Sequence, residues 1–490
     1  MSHKIKNIFR FALVFACFGC GLLTLDDPEP RVRDDSSPVT EPEQAPANPN
    51  PVNDQDEDDG NGEVDSADQE QPEAINTPIP PKTEPPADVS GFEIGPVVTP
   101  TYFPAAYTDT SLQLETFDVF WNAVNDEYLY RDFNGVDWDG VYDEYRPQVK
   151  AGMSNPDFWN MLTNLVYQLD DEHSYFVPTD NAEGIRDLMR SGVGYSGVGV
   201  ALIGRPDQQD ALVGWSIPGN GAHNAGIRSG DRILAVDGHP ICCHPNGEPF
   251  GFLLGADGSS AEVIYQTPGQ PVEAVQVQRA PIELNDTISG KMLDGNIGYI
   301  QINTFLARGV REEFETIWTE MNTPNRVDGL IIDLRANTGG FVFTADLIMY
   351  KFITGTLHYN FDAYEKDDGR LLPMNFSGDD LLGSQTVPLV ILVSEATNSR
   401  GEVFAGILRD TGRAELVGRP TNGNIETISL FDLPDGSFVY LATDSLIPLS
   451  EDDWEENGLT IDHFIEQRFG EIEADGRDDA LEKALDILRN

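Results

Sequence analysis

Two largely apolar runs, VDGLIIDLR at 327–335 and VPLVILVSE at 387–395, constrain this chain more than any other feature. A strand with one wet face alternates apolar and polar residues. A strand apolar at nearly every position needs cover on both faces, which a parallel sheet flanked by helices supplies. Around these runs, IGYIQIN at 297–303 reads as a strand, while ARGVREEFETIWTEMN at 307–322 and GEVFAGILRD at 401–410 read as helices. AELVGRP at 414–420 leads into a further strand. This alternation predicts an α/β sheet with crossover helices over 281–490.

The rest of the 490 residues divides by composition. Such a length exceeds one hydrophobic core. Residues 109–190 carry apolar positions at helical spacing, as in LQLETFDVFWNAVNDEYLY, with Asn155 and Pro156 as a helix start. Residues 191–280 read as short strands with Gly-rich turns, in GYSGVGVALIG, ALVGWSI and AVQVQRA. Residues 21–108 are rich in Pro, Asp, Glu, Asn and Gln, a composition that cannot offset the entropy of ordering, and so predict a disordered linker. The fold class expected is therefore multidomain α+β and α/β: a helical segment, a β-rich module and an α/β core.

Residues 1–20 read as an export signal: Lys4, Lys6 and Arg10, then a short apolar stretch from Phe11 to Gly19. That stretch is too short to span a bilayer. Cys20 resembles the lipid-modified cysteine of bacterial lipoproteins, with Cys17 as the alternative site. The expectation is an exported protein, periplasmic or at the cell surface, anchored by lipid. Gly21 lacks the Asp that retains lipoproteins at the inner membrane, which favours the outer one. The formal charge of −52 repels nucleic-acid phosphate and excludes nucleic acid as a partner. Cys242 and Cys243, flanked by His239 and His244, lack a ligand spacing such as C-x-x-C, so no metal is expected there.

Three places carry chemistry. The strand expected in VPLVILVSE runs out into a polar turn and a helix begins near Ser399, where a hydroxyl sits beside free backbone N–H groups and the positive end of a dipole. Ser399 with Glu402 also fits a simple capping box. Adjacent glycines in DLRANTGGFVFTA at 333–345 expose backbone N–H groups after a second strand, or merely make a turn. His173, in DDEHSYF near the end of a predicted helix, is one of seven histidines.

Taken together and in order, LDDEHSYFVP, GVGV with AGIRSGDRILAVDG, IGYIQINTF, DLRANTGG, NSRGEVFAGILRD and WEENGLTIDHFIE resemble the carboxy-terminal-processing (tail-specific) peptidase family, over roughly 109–470. The resemblance implies a PDZ-like peptide-binding domain at 191–280 and a crotonase-like serine peptidase core at 281–490, with no cofactor. In one design of the family a Lys in a GKG turn activates the Ser; here that turn is TNGNIET and the Lys position is Asn424, an amide that cannot take a proton. The tricorn-like design implies instead Ser399 as nucleophile, His173 as base and Glu455, or its neighbour Glu456, as the group orienting the imidazole. It implies oxyanion donors at the N–H groups of Gly340 and Arg400, and a peptide C-terminal carboxylate held by amides of Val198, Gly199 and Val200. The chain departs from the family pattern in SRGE, where SASE is usual, and in Ile461–Asp462, where PD is usual. The alternative is an inactive peptide-binding or scaffolding lipoprotein.

Overall fold

The structure, a computed structural model, describes residues 87–92, 109–171, 173–191, 193–205, 210–241, 253–363, 371–450, 452–472 and 476–489. The export signal with Cys17 and Cys20, Cys242, Cys243 and His244, and all of the expected linker except 87–92 lie outside the described residues.

The chain begins with helices α1 (Thr110–Glu127), α2 (Trp138–Ala151) and α3 (Asn155–Tyr167). Side chains of Asp109, Asp137 and Ser154 accept from the first-turn N–H groups of the three helices and so start them. The cap of α3 is thus Ser154, one residue before the expected Asn155. Phe117, Phe120, Trp138, Phe158 and Leu162 bury a common face. The helical segment is not continuous: β1 (Tyr175–Val177) interrupts it before α4 (Thr179–Ser191). The β-branched and aromatic Tyr-Phe-Val run prefers a pleated surface, and β1 pairs antiparallel with a strand from the far end of the chain.

A β-rich module follows. It comprises β2 (Val193–Gly197), β3 (Val200–Arg205), β4 (Asp210–Ser216), the short α5 (Gly221–Asn224), β5 (Arg232–Val236), β6 (His239–Pro240), β7 (Ser260–Gln266), β8 (Val272–Gln278) and β9 (Ala280–Glu283). Its main sheet runs β3-β4-β5-β7-β8, with β6 on β5, while β2 pairs β9.

The α/β core comprises β10 (Ile288–Leu293), β11 (Ile297–Ile302), α6 (Val310–Met321), β12 (Gly329–Asp333), α7 (Val342–Met349), β13 (Thr356–Ala363), β14 (Leu371–Ser377), β15 (Leu389–Val393), α8 (Arg400–Asp410), β16 (Glu415–Gly418), β17 (Thr427–Asp432), β18 (Phe438–Ile447), α9 (Trp454–Asn457), β19 (His463–Phe464) and α10 (Asp479–Arg489). The order β10-β11-β12-β15-β16-β19 is parallel from β11 onward, with β10 antiparallel at one edge. The two apolar runs are the paired strands β12 and β15, buried at every position. One face, with Ile332 and Ile391, packs on Phe314, Ile348 and Phe404 of α6, α7 and α8; the other, with Ile331 and Val390, packs on Ala480 and Ala484 of α10. Cover on both faces is the physical reason these runs carry no polar alternation. A second sheet, β1-β18-β13-β14 with β17 on β18, brings β1 to the core.

The module rests on the core. A Cβ on Gly214 of β4 would lie 2.8 Å from Thr338 Cγ2, and one on Gly230 would meet the main chain of Gly470 at 2.4 Å. Ile203 and Leu212 of the module share a buried cluster with Leu306, Ala396 and Phe438.

Candidate active site

The turn that holds Ser399 is built from the end of β15. Ser394 Oγ donates to Arg335 O (2.7 Å), Thr397 Oγ1 to Leu334 O (2.8 Å), and Asn398 N to Asn337 O (2.9 Å). These bonds zip the turn onto the loop that follows β12. Gly401 has to be a glycine, because a Cβ there would lie 2.7 Å from Asn337 Oδ1. Ser399 itself stands at φ 52°, ψ −124°. An ordinary helix cap is extended. A serine held in this sparsely populated region between a buried strand and a helix is a sharp, strained elbow of the kind that presents a nucleophile. The Arg400 N–H falls at the first position of α8, where no intrahelical acceptor exists.

Gly340 stands at φ 131°, and a Cβ there would lie 2.2 Å from Leu306 N, so only glycine fits. Phe305 donates to Gly339 O (2.7 Å) and accepts from Phe341 N (3.3 Å), which leaves the Gly340 N–H out of that bridge.

Glu402 locks the elbow to the next loop. Its buried carboxylate accepts from Ser399 N (3.0 Å), Thr421 Oγ1, Gly423 N (2.8 Å) and Asn424 N (3.0 Å). The expected capping residue therefore also ties α8 to loop 421–426. Burial pushes this carboxyl up to about 7, against the pull of the donors around it.

Two residues beyond Asn424, Glu426 meets His173. Nδ1 of the imidazole lies 2.8 Å from Glu426 Oε2, and both side chains are buried. With a carboxylate accepting at Nδ1, a neutral imidazole carries its proton there and its lone pair on Nε2. His173 sits not at a helix end but in the turn between α3 and β1, where Asp171 Oδ1 accepts from its N–H (2.9 Å). Register fixes the turn: Tyr175 faces Tyr440, and Ser174 Oγ accepts from Ala442 N (3.0 Å). Tyr130 Oη donates to Glu426 Oε1. Burial first, and nearby carboxylates second, push the Tyr128 and Tyr130 phenols up, so both stay neutral donors.

The place expected for Glu455 on the imidazole is taken by Glu426. Glu455, at the start of α9, accepts from Ile425 N (2.7 Å) and so braces the residue before Glu426. It stays in the cluster: one ligand atom each of His173, Glu426 and Glu455 lie within 4.8 Å of one another. These three form the donor set among the described residues that could hold a cation. No motif around Glu426 separates it from the chain's other acids; its only mark is the spacing of two after Asn424.

Val198, Gly199 and Val200 lead into β3, the end strand of the module sheet. Val198 N–H already donates to Leu253 O (3.1 Å). Ile217 N donates to Gly199 O (3.1 Å) across the Val200–Ser216 pair, which makes that pair a non-hydrogen-bonded one. The Val200 N–H therefore points away from β4.

Residues 296–465 match peptidase family S41, and residues 114–166 match the tricorn protease C1 domain. A carboxyl-terminal-processing protease of Picosynechococcus sp. is 30% identical over 324 residues, 65% of this chain and 74% of that protein. The chain belongs to peptidase family S41. This S41 chain is a serine peptidase, with relatives that include the chloroplastic carboxyl-terminal-processing peptidase 2 of Arabidopsis thaliana, 27% identical over 71% of this chain and 68% of the relative. The solved photosystem II D1 C-terminal processing protease superposes with a TM-score of 0.60 at 25% identity, covering 73% of this chain and 94% of the other.

Proposed function

We propose that this S41 peptidase hydrolyses peptide bonds of protein substrates with Ser399 as nucleophile, His173 as base and Glu426 as the group that orients the imidazole. The single observation that carries this reading is the buried His173–Glu426 pair at 2.8 Å, one dipeptide away from the Asn424 N–H that shares Glu402 Oε2 with Ser399 N. Ser399 attacks the carbonyl, His173 takes its proton and returns it to the leaving amine, and the carboxylate stabilises the imidazolium. Amides of Gly340 and Arg400 hold the tetrahedral oxyanion.

The substrates proposed are chains recognised at their C-termini. The names of the relatives, carboxyl-terminal-processing peptidases, support this. In this reading residues 191–280 act as a PDZ-like module and the core is crotonase-like. A peptide adds to the edge of β3, and its carboxylate takes the amides of Gly199 and Val200 rather than Val198. A peptide with a free C-terminal carboxylate is expected to be cleaved with kcat/KM about tenfold above its C-terminal amide. Equal rates remove carboxylate recognition.

The lipid anchor at Cys20, and the periplasmic or cell-surface location favouring the outer membrane, belong to the same proposal and rest on the signal-like segment ending at Gly19. Replacing Cys20 with Ser is expected to move the exported protein from the membrane fraction to the soluble one. Retention in the membrane when Cys17 is replaced as well refutes the anchor.

A further inference from the structure

Arg400 stands directly after Ser399, and its side chain turns away from the peptide-bond chemistry into a buried ion pair. Its Nε and Nη2 lie 3.1 Å and 2.5 Å from Asp346 Oδ1, with both residues nearly sealed from solvent. Burial raises the Asp346 carboxyl and the adjacent guanidinium pulls it back. A pair so buried is weak evidence of a stabilising role, since desolvating two charges offsets most of their attraction. Its location suggests another use.

Asp346 lies in α7, and α7 leaves directly from Gly339–Gly340–Phe341. Arg400 opens α8. The pair thus joins the helix that begins two residues after Gly340 to the helix whose first residue is Arg400. Upstream of Gly340 the glycine loop is already tied to the nucleophile turn, by Asn398 N donating to Asn337 O at 2.9 Å. Downstream, the tie is Arg400–Asp346. Gly340 has no side chain and a conformation only glycine tolerates, so the position of its N–H depends on anchors at both ends. An oxyanion hole acts through donors about 2.7–3.1 Å from the developing charge, so a small drift of one helix against the other weakens it.

We propose that the Asp346–Arg400 ion pair is a positioning device that holds the Gly340 and Arg400 amides in register as one oxyanion hole. This rests on the assignment of Ser399 and those amides given above. The pair acts through the main chain and touches no substrate.

The test compares Arg400→Met, Asp346→Leu, their double variant and Asp346→Asn with the full-length exported protein. The readouts are the denaturation midpoint, kcat, KM, and inhibition by a peptide boronate, whose hydroxyl occupies the oxyanion position. The double variant replaces both charges by apolar groups and is expected to keep its denaturation midpoint. Its KM should stay within about threefold, its kcat should fall by about 10- to 100-fold, and boronate affinity should fall in parallel. Asp346→Asn, nearly isosteric, should show the same split to a smaller degree. Wild-type kcat in a folded double variant overturns the proposal, and so does a lost kcat with full boronate affinity. Should the double variant not fold, wild-type kcat and boronate affinity in Asp346→Asn overturn it. Ser399→Ala run alongside separates the two readings: activity remaining there sinks the nucleophile assignment, whereas its loss together with an unaffected double variant sinks only the positioning role.

Discussion

Replacing His173 with alanine is expected to lower kcat/KM nearly as far as replacing Ser399, by roughly 10⁴-fold or more, with the double variant little worse than either. Groups that act as one unit are not additive, because a serine without its base is as inert as a base without its serine. Asn424→Ala should cost far less: an amide takes no proton, and the contact that locks this residue to Glu402 is made by its main-chain N–H. Activity should fall toward acid pH as the imidazole protonates. Glu402 adds a second titration, at about 7, on the same side. Its four donors favour the carboxylate, so protonation in acid loosens the hold on Ser399 and loop 423–424. For stability the sign is opposite. The folded value is raised above the ordinary 4.5, so stability is lost as pH rises from there to about 7 and is flat above. Stability measured by denaturant across that window checks this. Full activity in the His173→Ala protein refutes the Ser–His assignment.

The two acids of the cluster should separate sharply. Glu426→Gln keeps the shape of the side chain but can donate to Nδ1 and so favour the wrong tautomer. Its kcat is expected to fall by about 10²- to 10⁴-fold, with KM little changed. Glu455→Gln keeps an oxygen to accept from Ile425 N–H and should lose about tenfold or less. The order of the two losses is the measurement. If Glu455→Gln proves the more damaging, the imidazole is oriented in the working enzyme by Glu455, as the family resemblance implies, and Glu426 is its neighbour.

These contrasts mark where sequence reading reached and where it stopped. The buried parallel strands were legible at 329–333 and 389–393 because a strand covered on both faces has no polar alternation to hide it. The turns at Ser399 and at Gly339–Gly340 were legible as turns, because each follows a strand and precedes a helix within a few residues; the strained backbone of Ser399 was not, since a helix cap fits the same residues. The run of short strands between 191 and 280 was likewise visible from its alternation. By contrast, the apolar spacing predicts helix throughout 109–190 and gives no sign of β1. Three residues of Tyr-Phe-Val become a strand only because β18 offers a ladder to pair with.

The partner of His173 shows the limit most plainly. His173 and Glu426 are 253 residues apart, and their contact depends on the β1–β18 register, on the Ser174–Ala442 bond and on Glu455 bracing Ile425. A shift of one residue in that register would turn each side chain to the other face. The sequence by itself determined the strand–helix frame and the places of the two turns that follow its buried strands, since periodicity and turn chemistry act over a few neighbouring residues. Which carboxylate meets the imidazole, and which buried aspartate takes the arginine after the nucleophile, only the tertiary structure decided, because packing between distant segments selects among acids that are chemically alike.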